Sequence, residues 1–159
     1  NSYAKKLVNE VDFIFLISLL VIDETDNTDY FLYKFNLSKK DQKRIKSLDD
    51  FYKEKILSKK LTKKELNKIF YYKGREVLFD ILNFKIFKTK KIDNDIIELF
   101  NFYTYRKMPI LPIKAETLIE RYKIKQSKTL GDKLKLIEAE WVKNDFHIYD
   151  QQIEAIMKN

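Results

Sequence analysis

The stretch LGDKLKLIEAEWVKNDF, residues 130–146, holds the chain's single tryptophan and one of its two glycines. Leu130, Leu134, Ile137 and Trp141 recur at intervals of three and four, so they line one face of an amphipathic helix while Lys, Asp and Glu occupy the other. That stripe assigns Trp141 to a core. It does not explain Gly131, because glycine inside a helix costs about 1 kcal/mol relative to alanine. A glycine in the first turn admits close approach to the backbone by another helix or by a phosphate, and that is the expectation here.

Outward from this stretch the same periodicity gives helices throughout. The apolar residues from Leu7 to Ile22 mark a first helix beginning near Tyr3, and Thr28 or Asp26 caps a short one through Phe35. Ser38 with Asp41 opens a helix to about Ile56, and Thr62 with Glu65 opens another to about Lys73. Gly74 separates the latter from a helix holding Val77, Leu78, Ile81 and Leu82, and Asp93 starts one that ends before Pro109. The segment MPILP, residues 108–112, is a break with two prolines three residues apart. Beyond it come a helix from about Lys114 to Tyr122, the loop KIKQS, a helix capped by Ser127, and a last one near Tyr149–Met157. With Gly and Pro at only two each, tight hairpins are nearly excluded. The sequence therefore predicts an all-α, two-lobed protein of eight to nine helices without a sheet. Residues 1–107 form a body and residues 108–159 a small tail.

The absence of cysteine fits a reducing cytosol, hence a cytoplasmic protein, and the run Phe13–Ile22 is about half a membrane span. No membrane partner is expected. The chain opens without Met, in mid-pattern, like a piece of something longer. Catalytic and metal-binding readings of the acidic residues are weaker than structural ones. Asp93 and Asp95 have the spacing of a two-carboxylate magnesium site, but they open a helix, where carboxylates face the positive end of the dipole. Asp23, Glu24, Asp26 and Asp29 lack the central glycine and closing glutamate of a calcium loop. His147, the sole histidine, has no nucleophile or acid placed to relay with it and reads as a surface or linker residue. No catalytic residue, metal ligand or cofactor site is assigned.

The net charge of +8 points to a polyanionic partner. The 28 lysines, with abundant Ile and Asn, also reflect an AT-rich coding bias, so the four arginines carry more information than the lysines. The candidate phosphate-contacting residues are Arg106, Lys107, Lys114, Arg121 and Lys123 around the tail, with Lys125 and Lys128 nearby. Lys43 and Arg44, in a basic run that begins at Lys39, form a secondary set.

The tail also resembles a family. LPIKAETLI, a loop, and LGDKLKLIEAEWVKNDF are similar to the end of bacterial class II tRNA nucleotidyltransferases, the CCA-adding enzymes and related poly(A) polymerases. Pro112, Ile113, Lys114, Leu118 and Ile119 match the first half of that pattern; Leu130, Gly131, Leu134, Ile137, Glu138 and Trp141 match the second. Leu37 and Ser38 resemble the start of one body helix, and Phe13–Leu20 another. Ala115, Thr117 and Tyr122 depart from the family's Gly, Asp and Gly. The resemblance implies a helical body and tail that hold tRNA, or another RNA 3′ end, for a catalytic head that lies elsewhere. Mg2+ with ATP or CTP would belong to that head, and DNA is not an expected partner. The head's Asp-x-Asp has no counterpart here; Asp49-Asp50-x-x-Lys53 echoes the family's nucleotide-selecting motif, but it ends in Lys and lies on the wrong side of the apolar helix. By itself this chain is expected to add no nucleotide. The rival reading is a helical protein-interaction module whose charge reflects coding bias alone.

Overall fold

The computed structural model describes residues 12–23, 25–55, 62–89 and 94–158. Among these the chain forms nine helices and no strand: α1 (Phe13–Val21), α2 (Asn27–Lys34), α3 (Lys39–Lys55), α4 (Lys63–Lys73), α5 (Arg75–Thr89), α6 (Asn94–Tyr105), α7 (Ala115–Tyr122), α8 (Lys128–Lys143) and α9 (Asp150–Lys158). No described helix is long and apolar enough to cross a membrane. Leu7, Val11, Glu24 and Asp93 lie outside the described residues.

The helix starts follow from side-chain chemistry. Thr62 and Glu65 form a complete capping box: the Glu65 amide donates to Thr62 Oγ1 at 3.3 Å, and the Thr62 amide donates to Glu65 Oε2 at 3.1 Å. Ser38 Oγ accepts from the Asp41 amide at 3.1 Å and donates to the Asp41 carboxylate at 2.6 Å. Ser127 Oγ accepts from the Leu130 amide at 3.2 Å. Asp26 takes the N-cap position of α2 without a capping bond from its side chain. Thr28, the other cap candidate, is fully buried and donates to the Val21 carbonyl and to Asp49 Oδ1, both at 3.2 Å. Gly74 supplies the positive φ, +91°, that ends α4 and lets α5 begin one residue later.

The chain divides into two compact units, residues 1–61 with 73–106 and residues 62–72 with 107–159. The boundary read at the prolines falls beside the last of these crossings, and Thr62–Tyr72, read from sequence as body, belongs with the tail. In the first unit α3 packs on α1, α2 and α5, and α5 packs on α6. Helix α5 buries Val77, Leu78, Asp80, Ile81, Leu82, Phe84 and Ile86, on nearly every side, as a central helix must. In the second unit α8 packs on α7 and α9. Leu130 and Ile137 of α8 meet Leu118 of α7 and Ile153 of α9, with Leu111 and Ile113 closing the cluster. Trp141, 2 % exposed, packs edge-on against Tyr71 of α4 at 5.3 Å and Phe146 at 5.0 Å between ring centroids. Asp145 and Phe146 hold this turn at φ +56° and +66°, values unusual for non-glycine residues. They are kept there by the Phe146 amide on the Trp141 carbonyl at 2.9 Å and by the Asn67 amide on the Asp145 carboxylate.

Candidate nucleic-acid interface

The basic residues of α3 and those of residues 107–128 differ in how far the fold pairs them with acids. In α3 most are neutralised. Lys40 lies 3.2 Å from Glu76, and Lys46 lies 2.7 Å from Asp29 and 3.4 Å from the fully buried Asp49. Arg44 is the centre of a carboxylate cluster: Nε and Nη2 grip Asp80 at 2.5 and 2.8 Å, and Nη1 reaches Asp12 at 2.6 Å and Glu76 at 3.4 Å. Its side chain is 10 % exposed and that of Asp80 is 8 %. The hydrogen bonds that Arg44 donates to Asp80, and then to Asp12, raise its pKa from the ordinary value, so the guanidinium stays charged. Burial pushes the Asp80 carboxyl up, and the Arg44 fork acts against it. Arg44, expected from sequence as a secondary phosphate contact, thus holds α3 to α5 through these carboxylates. Lys43 is exposed and makes no ion pair with a described residue.

Residues 107–128 differ. This segment holds six basic residues against Glu116 and Glu120. Lys107, Lys114, Lys123, Lys125 and Lys128 are all exposed, and none makes an ion pair or a side-chain hydrogen bond with a described residue. Their positions are fixed by the backbone. Lys114 is the N-cap of α7, with extended φ/ψ and no capping bond from its own side chain. Lys123 is its C-cap in the left-handed region at φ 54°, one residue beyond Tyr122, where the resemblance had placed the helix-closing glycine. Lys128 is the first residue of α8. The segment's acidic residues, Glu116 and Glu120, sit within α7, and both are exposed.

The arginines, read from sequence as the more telling members, are the ones the fold itself engages. Arg121 pairs with Asp150 at 2.8 Å and Glu154 at 3.4 Å, tying α7 to α9, and Asp150 raises its pKa above the ordinary value. The Arg106 guanidinium lies 4.8 Å from the Phe102 ring centroid and 5.9 Å from that of Tyr103, and the Arg106 carbonyl accepts from Arg75 Nη2 at 2.5 Å. A planar fork serves such bidentate and stacked contacts where lysine cannot, which accounts for arginine at these places against the coding bias. Arg121 and Arg106 remain on or near the surface, Arg121 with 41 % of its side chain exposed, but each already has structural partners. Lys43, Arg44 and Arg106 belong to the first unit, and Lys107, Lys114, Arg121 and Lys123 to the second.

Gly131 also differs from expectation. A Cβ built on it meets no atom within 4 Å, so no helix packs closely on its backbone in the structure. His147 is exposed in the linker before α9, its Nδ1 3.0 Å from the Asp145 carbonyl, as a linker residue should be. Asp49 and Lys53 form a 3.1 Å ion pair one turn apart, with Asp49 fully buried. In the fold, Lys53 thus serves as the cation that partners a buried carboxylate. Among the described residues, no three His, Asp or Glu side chains are grouped to hold a metal ion. Compared with family models, curated proteins and solved structures, the chain matches none.

Proposed function

We propose that this chain is the RNA-holding body and tail of a nucleotidyltransferase acting on tRNA 3′ ends. The observation that carries the reading is the group of five exposed lysines in residues 107–128 that have no carboxylate partner among the described residues. In α3, by contrast, Lys40, Lys46 and Lys53 are matched by acids. Unmatched, spaced cations around a short helix suit the phosphates of a folded RNA, which are contacted by charge and shape rather than by base reading. The likeness of Pro112–Ile119 and Leu130–Trp141 to the tail pattern supplies the kind of enzyme. The contribution of these residues would be positioning: an RNA held at a distance from its reacting end is delivered in one orientation to the active site. Ultraviolet crosslinking of tRNA followed by peptide mapping tests this. Crosslinks concentrated in residues 107–128 are the expected result, and crosslinks that avoid this segment would remove the proposal.

The protein-interaction reading retains one supporting observation. Phe13, Leu16 and Leu20 of α1 are 72, 45 and 83 % exposed on one helix face. A module of that kind would bind RNA only through diffuse charge, with every surface lysine equivalent.

A further inference from the structure

Helix α2 presents a second surface that none of the phosphate-contacting residues uses. Its inner side is pinned: Thr28 is fully buried on Asp49 and the Val21 carbonyl, and Phe31 and Leu32 are half-buried. Asp29 is drawn to Lys46 at 2.7 Å. The outer side carries Tyr30 at 62 % and Tyr33 at 84 % exposure, with Lys34 beside them. Residues 30, 33 and 34 fall on one side of a helix, within about a quarter to a third of its circumference. The Lys34 ammonium accordingly lies 5.5 Å from the Tyr30 ring centroid and 5.9 Å from that of Tyr33. At the end of the helix Phe35, 56 % exposed, stacks on Phe31 at 4.6 Å. Large aromatic rings left in water in a cluster, with a cation between them, mark a recognition surface rather than scattered surface apolars.

From this arrangement we infer that Tyr30, Tyr33 and Lys34 form a stacking platform for unpaired RNA nucleotides. The inference rests on the RNA-holding reading and adds to it a strand class and a second contact surface. Two exposed rings offer flat faces to bases of any identity, and Lys34, already within reach of both rings, neutralises the phosphate that accompanies them. Charge at the C-terminal end of the platform suits a nucleic acid: Lys34 is followed by Lys39 and Lys43, exposed and without ion-pair partners among the described residues, whereas the acids Asp26 and Asp29 lie towards the other end of α2, with Asp29 held by Lys46. A duplex cannot use the platform, because its bases already stack on each other. The platform therefore takes a single-stranded segment, with adenine preferred over uracil for its larger face.

The test uses the whole chain and a ten-nucleotide oligouridylate carrying one 2-aminopurine, which is bright between poorly stacking neighbours, so that its quenching reports stacking on the protein. The wild type should bind and quench it. The double substitution Tyr30→Ala/Tyr33→Ala should weaken binding about tenfold or more and remove the quenching, while Tyr30→Phe/Tyr33→Phe, which keeps the rings, retains both. Unchanged thermal unfolding of the alanine variant shows that the loss is local, and since both side chains are exposed, that variant folds. Equal quenching by wild type and the alanine variant would overturn the inference, as would failure of the wild type to bind the oligonucleotide. The tail lysines provide the separation from the broader reading. Lys114→Glu/Lys123→Glu should weaken tRNA binding while leaving most of the quenching, so failure of the platform and failure of the tail surface give different results.

Discussion

Arg121 Nη1 lies 2.8 Å from Asp150 Oδ1. This contact joins the last turn of α7 to the first turn of α9, so the most conspicuous arginine of the tail is a brace between two short helices that could not stand alone. The pair is exposed and its contribution to stability is correspondingly small. Arg121→Ala and Asp150→Ala should each lower the melting temperature slightly, and the double variant should lose less than the sum of the two. Strict additivity of the two losses would show that the brace is not a pair.

Arg44 poses the stronger case. Replacing it with alanine leaves Asp80, 8 % exposed, without its bidentate partner. Breaking one side of a buried pair costs about 3 kcal/mol or more, because the remaining charge stays desolvated. Urea unfolding of Arg44→Ala should show a loss of that order, and Arg44→Ala/Asp80→Leu should recover much of it. A loss below about 1 kcal/mol, the range of exposed pairs, would mean that the cluster is solvated and that Arg44 is free for other work.

Gly131→Ala should stabilise the protein. The position is helical, and an added Cβ meets no atom within 4 Å, so only the backbone-entropy gain remains, about 0.5–1 kcal/mol. Thermal unfolding checks it. Destabilisation would indicate a neighbour near the Gly131 backbone, as the sequence alone had suggested.

Tyr71 gives a pH signature. Burial, together with the Glu138 carboxylate 2.7 Å from its hydroxyl, pushes the phenol from 10.0 up to about 12. A phenol ionises more readily in the unfolded chain, so its contribution to stability is complete below pH 10 and is lost as the pH rises towards 12. The tyrosinate difference spectrum between wild type and Tyr71→Phe should show one group ionising near 12. Ionisation of that group near 10 would mean that the Glu138 contact is not made in solution.

The fold was legible in the sequence because its signals are local. Thr62 with Glu65, Ser38 with Asp41, and Ser127 each make the capping bonds that their spacing announces, and Leu130, Ile137 and Trp141 are buried as the stripe requires. Thr28 was misread as a possible cap because its partner, Asp49, lies 21 residues away and no local pattern reveals it. The same holds for Arg44 and Asp80, 36 residues apart, and for Asn67 and Asp145, 78 apart, one of the contacts that join α4 to the rest of the second unit. Composition made arginine look like the informative cation, but which cations are free depends on where the carboxylates fold to, and that is a tertiary property. The exposed pair Tyr30 and Tyr33 is not legible in the sequence for the converse reason: aromatic residues at helical spacing usually enter a core, and only exposure separates the two cases.

The central claim is that the unmatched lysines of residues 107–128, rather than overall charge, hold the RNA, and one titration tests it most directly. Binding of tRNA should be measured from about 50 to 200 mM salt for the wild type, for Lys114→Glu/Lys123→Glu, and for Lys135→Glu/Lys158→Glu, which changes the charge equally at exposed sites outside the segment. If about four phosphates are neutralised, wild-type affinity falls about a hundredfold over this range. The tail variant should bind more weakly at every salt concentration, with a log–log slope shallower by about two, whereas the control variant stays near the wild type. Equal losses from the two variants would contradict the account, since they would make the attraction a property of the net charge and not of this surface.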